Sequence, residues 1–302
     1  MSRKVLEKDL EQINQLLNDI VGVSKYEQLS RLGGLTNHTY KVTTEKGDFI
    51  LRIPGEGTEE LINRNDEKVS TELACKLGID TELLYFGDRG EKVTRYINNA
   101  VTMSPETMKE EQNIIDAAQI FKTLHTSNVD TKVPFEVFDM AKSYEDFLVN
   151  NNVAIYDDYS EIREQVKNIK AIVDAENNIS LVPCHNDPLC ENWIIGNGRM
   201  YLIDWEYAGM NDGMWDLADV SIEANYSEKE DHILLKSYLG CEPTTKNLKH
   251  FLANKIYLDY LWTLWGKTRV PFDGQPMEDY ALERYNRLKV NIEEFNKMKE
   301  CK

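Results

Sequence analysis

The feature that most limits the folds open to this chain is a single change of rhythm along it. Up to Ile97 the apolar residues fall into short alternating runs, and beyond Asn98-Asn99-Ala100 they recur at helical spacing. An opening amphipathic helix is expected first, because Leu6, Leu10, Ile13, Leu16, Leu17 and Ile20 share a face and Gly22 can end it. Strands are then expected at 26–31, 38–44 and 48–53, with turns at Gly33-Gly34 and Lys46-Gly47. A helix over 63–77 and strands at 83–86 and 92–97 complete this part. Past the hinge at 98–100, helices are expected at 105–127, 144–150, 162–176, 228–239, 248–268 and 278–299. The expected division is therefore a β-rich region of 1–97 and a mainly helical one of 98–302, an α+β chain without an internal repeat. One strand-turn-strand break interrupts the helical part, formed by Ile194-Ile195, Gly196-Asn197-Gly198 and the apolar run 200–203.

The residues able to carry chemistry fall at that break. His185-Asn186-Asp187 through Asn192 fits the spacing His-x-Asp-x-x-x-x-Asn, and Tyr201-Leu202-Ile203-Asp204-Trp205-Glu206 puts a second carboxylate at the end of an apolar strand. A lone His-x-Asp is common in turns; the spaced set followed by the strand-end Asp is far more restrictive. A base and a metal ligand a few residues apart on one tight loop can face the same phosphate from two sides. Phosphoryl transfer asks mainly for positioning and charge neutralisation. Asp187 is thus the candidate base for a substrate hydroxyl, and Asn192 and Asp204 are candidate oxygen ligands for Mg²⁺ on ATP phosphates.

With 302 residues the chain can bury a large core, as one large domain or two lobes. Its 52 acidic against 35 basic residues give a net charge of -17, which disfavours nucleic acid and anionic membranes and suits a small cationic substrate. Such acidity also suits solubility alone. An ATP site in this chain must carry local positive charge from a metal, Arg or Lys and backbone amides. The 5 cysteines form no close metal-type pairs and no even disulfide set, so a reducing cytoplasm is expected. The N-terminal stretch turns charged and amphipathic, and no segment is apolar enough to span a bilayer, so neither a secretory signal nor membrane insertion is expected.

Five segments together resemble the choline/ethanolamine kinase family, within the broader aminoglycoside phosphotransferase and protein-kinase-like group. They are Gly33-Gly34-Leu35-Thr36-Asn37, Leu51-Arg52-Ile53-Pro54-Gly55, the His185 to Asn192 loop, Ile203-Asp204-Trp205-Glu206-Tyr207 and Trp262-Thr263-Leu264-Trp265. The resemblance covers nearly the whole chain, and its compact layout is similar to that of bacterial choline kinases. It implies a two-lobed protein-kinase-like fold with an ATP-binding lobe over 1–97 and a helical lobe over 98–302 carrying the catalytic loop and acceptor site. Arg52 stands where protein kinases carry Lys, and its planar fork can bridge two phosphate oxygens. Glu67 is the candidate to orient it, with Lys68 and Glu72 close enough in sequence to compete. Gly33, Gly34, Thr36 and Asn37 are implied phosphate contacts, although this loop is shorter than Gly-x-Gly-x-x-Gly. Arg95, Tyr96 and Ile97 are implied to lie against adenine through their main chain. Trp205-Glu206 replaces the usual Phe-Gly after the metal-binding Asp, and Glu206 is expected to cap the loop, with contact to a second Mg²⁺ through water as the alternative. Asp216 is implied to hold the catalytic-loop backbone, and His185 reads as a further loop anchor.

For the acceptor, Trp262 and Trp265 lie three residues apart on an expected helix, so their rings share a face. Aromatic faces recognise a quaternary ammonium, which has no N–H to donate, although helical Trp pairs also serve simply as core. The resemblance adds Tyr226 and Tyr280 as walls and Glu223 as a compensating carboxylate. It implies choline phosphorylation by Mg²⁺-ATP. Ethanolamine, thiamine or an aminoglycoside stays open as acceptor, as do a homodimer and a catalytically silent nucleotide-binding scaffold.

Overall fold

A computed structural model describes residues 4–33, 37–55 and 63–300. The chain falls into two compact units, one made of Met1–Ser104 with Cys190–Gly209 and the other of Pro105–Leu189 with Met210–Lys302.

The first unit is built on a five-stranded antiparallel sheet. Its strands are β1 (Gln28–Gly33), β2 (Asn37–Thr44), β3 (Gly47–Pro54), β4 (Leu83–Phe86) and β5 (Lys92–Arg95), in the order β1-β2-β3-β5-β4. β2 and β3 pair in unbroken register from Asn37↔Pro54 to Thr44↔Gly47, and Gly47 closes the turn at φ 109°, where a side chain would be strained. Tyr40, Val42, Phe49, Leu51, Ile53 and Val93 bury one face of the sheet against Ile13, Leu16, Leu17 and Val21. Each such side chain contributes about 2 kcal/mol by leaving water. The opening segment, expected as one helix, is three pieces: a 3₁₀ turn Glu7–Asp9, helix α1 (Leu10–Leu16) and a π turn Leu17–Val21 ended by Gly22 at φ 72°. Asp9 is buried and turned onto the sheet, where its carboxylate takes the Tyr40 hydroxyl at 2.6 Å and meets His38 Nδ1 at 2.8 Å. Hydrophobic periodicity could not reveal an acid at the buried end of the helix.

Helix α2 (Arg64–Lys76) is capped by the Asn63 side chain, which accepts from the backbone N–H of Asn65 and Asp66. Its inner face carries Arg64, Glu67, Ser70 and Thr71 beside Leu73 and Ala74, so the helix buries charge as well as apolar surface. The hairpin of β8 (Trp193–Gly196) and β9 (Arg199–Leu202) turns at Asn197 (φ 50°) and Gly198 (φ 76°), the positive-φ pair that a two-residue hairpin requires. It joins the first unit because β8 pairs with β6 (Val101–Thr102) and Leu202 N–H donates to the Ile79 carbonyl. Gly196 permits this approach, since a Cβ there would come within 2.9 Å of the Asn98 carbonyl oxygen. The change of rhythm had assigned residues 190–209 to the helical part, because periodicity reports local structure and not the partner of a distant hairpin.

The second unit comprises α3 (Pro105–Met108), α4 (Glu111–His125), α5 (Val137–Asn150), α6 (Tyr159–Glu176), α7 (Met214–Glu223), α8 (Glu228–Leu239), α9 (Thr245–Asp273) and α10 (Gln275–Glu300). Strands β7 (Leu181–Cys184) and β10 (Gly209–Asp212) pair beside them. The helix expected over 105–127 is two helices, and α5 starts at Val137 rather than at residue 144. The central element is α9, buried nearly all round from Phe251 to Thr268 and packed against α5, α6, α7 and α10. A capping box of Thr244 and Asn247 starts it. Residues 214–221 of α7 are all buried, which places Asp216 and Asp219 inside the protein.

Candidate active site

In the first unit the sheet and α2 bring two guanidinium groups onto one carboxylate. Glu67 is 1% exposed; its Oε1 lies 2.5 Å from Arg52 Nη1 and its Oε2 accepts from Arg64 Nη1 at 2.7 Å. Burial alone would raise the Glu67 pKa, but the charge and hydrogen bond of Arg52 outweigh it and hold the carboxyl below its ordinary value. Arg52 also donates from Nε and Nη2 to the Gly90 carbonyl at 3.2 and 3.0 Å, so its fork is fixed from both sides. Its Nη1 is 3.9 Å from Asp204 Oδ1, a carboxylate 43% exposed.

Asp204 follows β9 at φ 70°, a left-handed conformation uncommon for any residue but glycine, which Asp tolerates better than most. Ile203 N–H donates to the Asn192 carbonyl at 3.0 Å, so the hairpin sets Asn192 across from the residue before Asp204. Both candidate metal ligands thus lie at the same end of one hairpin. Glu206 accepts from Asn37 Nδ2 at 3.4 Å and lies 4.0 Å from Arg64 Nη1. Burial, then the charges of Asp204 and Glu67, push its pKa to about 7 against the pull of the two arginines.

Asn37 accepts from Arg64 Nη2 at 3.3 Å, and Gly33 is the last residue of β1, while Gly34 and Thr36 lie outside the described residues. Arg95 carries its guanidinium away on Glu82, the Lys46 carbonyl and the Phe49 ring. Tyr96 N–H donates to the Asp48 carbonyl and its ring lies under the Lys41 ammonium, while Ile97 is buried against Gly196. The main-chain donor of Tyr96 is therefore already used within the sheet.

In the second unit the loop after β7 is held by its backbone. Asp216 accepts from His185 N–H and Asn186 N–H, each at 2.8 Å, and meets His125 Nε2 at 3.0 Å. His125 Nδ1 meets the Tyr238 hydroxyl at 2.9 Å, and Trp215 Nε1 donates to the Asn186 carbonyl at 3.2 Å. Asn186 takes φ 67°, with its side-chain oxygen accepting from Asn211 Nδ2 at 2.9 Å. These bonds turn the chain so that Asp187, half-buried, follows a rigid residue; His185 Nδ1 in turn accepts from Asp187 N–H at 3.3 Å.

The aromatic residues meet on α9 and α10. Trp262 and Trp265 stand edge to face with ring centroids 5.9 Å apart, and Trp265 meets Tyr280 edge to face at 5.8 Å. Gly266 lets α10 come this close, since a Cβ there would lie 2.9 Å from the Tyr280 ring. Arg284 lies over the Tyr280 ring at 4.6 Å and donates to Glu223 Oε1 at 2.5 Å. Burial, opposed by Arg284 and reinforced by the charges of Glu223, Asp187 and Asp219, raises the Tyr280 pKa. The phenol stays neutral, and Asp187 lies within electrostatic reach of it. Tyr226 donates its hydroxyl to the Met108 carbonyl at 2.8 Å.

The Choline/ethanolamine kinase family model matches residues 29–294. The chain belongs to this family. A choline/ethanolamine kinase family protein from Mesorhizobium loti is 35% identical, covers 96% of this chain and 97% of its own, and superposes with a TM-score of 0.84. Choline kinase LicA from Streptococcus pneumoniae is 30% identical over 95% of this chain and 100% of its own, with a TM-score of 0.78. LicA solved in complex with AMP is 30% identical over 94% and 98%, with a TM-score of 0.74. The fold is protein-kinase-like, as the resemblance implied, and the enzyme is an ATP-using phosphotransferase of the choline/ethanolamine kinase family.

Several residues around this kinase's candidate site escaped sequence reasoning. Arg64 shares Glu67 with Arg52, and its i,i+3 spacing on α2 was the available signal. The Gly90 carbonyl, His125, Asn211 and Tyr238 had none, because each reaches its partner across a long stretch of chain. Asp219 and Arg284 lie near Tyr280 of the aromatic group in the fold. Asp219 could have been found as the acid one turn before Glu223. Among the described residues no helix is long and apolar enough to cross a membrane.

Proposed function

We propose that this kinase transfers the γ-phosphate of Mg²⁺-ATP to the hydroxyl of choline, giving phosphocholine and ADP, in the cytoplasm. The observation that carries the choice of acceptor is the make-up of the Trp262, Trp265 and Tyr280 group. Three aromatic rings lie within reach of the carboxylates Asp187, Asp219 and Glu223, whose nearby guanidinium is Arg284. Aromatic faces with surplus negative charge suit a methylated cation that can donate no N–H bond.

In this reading Asp187 orients the choline hydroxyl and accepts its proton as the oxygen attacks phosphorus. The rigid 184–187 turn, with Asp216 on two backbone donors, keeps that carboxylate in place. Arg52, fixed by Glu67 and Gly90, and the backbone of Gly33 and Gly34 with Thr36 and Asn37, serve the triphosphate. Asn192 and Asp204 fit Mg²⁺: both offer hard oxygen donors at one hairpin end, and Asp204 is partly exposed beside a guanidinium that cannot itself neutralise a triphosphate. When bound, the ion would screen phosphate charge. Glu206 keeps Asn37 and Arg64 in position.

ADP release with Mg²⁺-ATP and a panel of choline, ethanolamine, thiamine and kanamycin tests the assignment. Choline should give the highest kcat/KM. A clear preference for ethanolamine would return the site to a primary ammonium held by carboxylates, and turnover with none would sink the kinase assignment.

A further inference from the structure

Three acids, Asp216, Asp219 and Glu223, lie at i, i+3 and i+7 along one face of the buried helix α7. The two outer ones are employed: Asp216 on the loop N–H groups of His185 and Asn186, and Glu223 on Arg284 Nη2. The middle one is not. Asp219 is 1% exposed, and its Oδ2 has no hydrogen-bond partner. A carboxyl removed from water without a donor costs several kcal/mol as a charge.

Its surroundings describe what it lacks. Asp216 and Glu223 lie on its own helix and Asp187 on the loop after β7. From α10 come Arg284 and Tyr280, while Asp259 of α9 is taken up by Arg287 through two hydrogen bonds of 2.9 and 2.6 Å and faces Arg284 at 3.6 Å. Arg284 is shared between Glu223 and Asp259 and pulls on Asp219 only at longer range, without a hydrogen bond to Asp219 Oδ2. Trp265 lies against Tyr280, so the missing charge borders the aromatic group.

We propose that Asp219 is a specificity-determining residue of the acceptor site, the carboxylate that takes up the positive charge of the bound acceptor, while Glu223 remains with Arg284. This deepens the acceptor reading given above and rests on it. Burial first, then the charges of Glu223 and Asp187, raise the Asp219 pKa well above that of a free carboxyl against the pull of Arg284. On this proposal the group holds its proton until the acceptor enters. Entry of a quaternary ammonium replaces that proton as the counter-charge: the neutral acid and the cation become a carboxylate–ammonium pair, and one proton leaves to solvent. Uptake of a cationic acceptor is then coupled to proton release, and an uncharged acceptor of the same shape gains nothing from Asp219.

The test uses the full-length enzyme, its Asp219→Asn and Trp262→Ala variants, and two acceptors, choline and its uncharged carbon analogue 3,3-dimethyl-1-butanol. Calorimetry of choline binding at neutral pH, in buffers of different ionisation heat, should find proton release from the wild type and none from Asp219→Asn. The kcat/KM ratio of choline to the analogue should fall at least tenfold in Asp219→Asn, with KM for ATP and the melting temperature kept. An unchanged ratio, or equal proton release from both proteins, would overturn the proposal. Trp262→Ala separates the two levels: if it leaves choline binding untouched, the aromatic site itself is misassigned; if it weakens choline while Asp219→Asn does not, only the role of Asp219 fails.

Discussion

The cluster around Glu67 in the first unit and the cluster around Asp219 in the second are both buried, and both mix carboxylates with guanidinium groups. They differ in how the guanidinium groups are shared. In the first, Arg52 and Arg64 converge on Glu67, and Asp204 stands at the edge, half-exposed beside Arg52. In the second, Asp187, Asp219 and Glu223 share the neighbourhood of one guanidinium, Arg284, which Asp259 also claims. A fixed cationic fork beside oxygen ligands suits a metal-bound polyanion, and an anionic surplus edged with aromatic rings suits a cation. On the proposed function the first cluster serves the metal-bound triphosphate and the second the cationic acceptor, so local arrangement rather than the net charge of -17 sets what each takes.

Substitutions should respect that contrast. The largest effect is expected at Asp187, where Asp187→Asn removes the proton acceptor and keeps the shape. Steady-state kinetics should show kcat lower by roughly 10³-fold or more with ATP affinity and melting temperature retained. Turnover near that of the wild type would take Asp187 out of the chemistry.

Next comes Asp80, a buried acid of the first unit, where the expected effect is on stability. Burial raises its pKa to about 6, against the pull of Lys92 and the Thr81 N–H. The folded state holds this proton more tightly than the unfolded chain does. The contribution of Asp80 therefore stabilises below the ordinary carboxyl range and is lost as pH rises through about 6. Asp80→Asn should flatten the stability profile between these limits and raise stability at neutral pH by on the order of 2–3 kcal/mol. Urea midpoints measured at acidic and neutral pH for both proteins check this, and parallel profiles would contradict it.

The two smallest effects are mirror images. Arg52→Lys keeps a positive charge and loses the fork on Glu67 and Gly90, so KM for ATP should rise about tenfold with little change for choline. Trp262→Ala should cost choline about 1–2 kcal/mol and leave KM for ATP alone. Initial rates with each substrate varied in turn separate the two, and a variant that raises both KM values equally would blur the contrast drawn here.

The sequence by itself determined most of the strands and helices and singled out the loop proposed to carry the chemistry. Alternation and helical spacing are local properties, and so is the fixed separation of Asp187 from Asn192, which one turn must bring round. The Trp262 and Trp265 pair was legible for the same reason, three residues apart on one helix. What the tertiary structure decided is how each charge is balanced. That Arg64 joins Arg52 on Glu67, that Asp9 lies under Tyr40, that His125 and Tyr238 stand behind Asp216, and that Glu223 is claimed by Arg284 while Asp219 Oδ2 is left without a hydrogen-bond partner all depend on contacts between residues far apart in the chain. A sequence shows that an acid is present; only packing shows whether water, a guanidinium or a substrate will answer it, because the energy of a buried charge is set by what surrounds it in space.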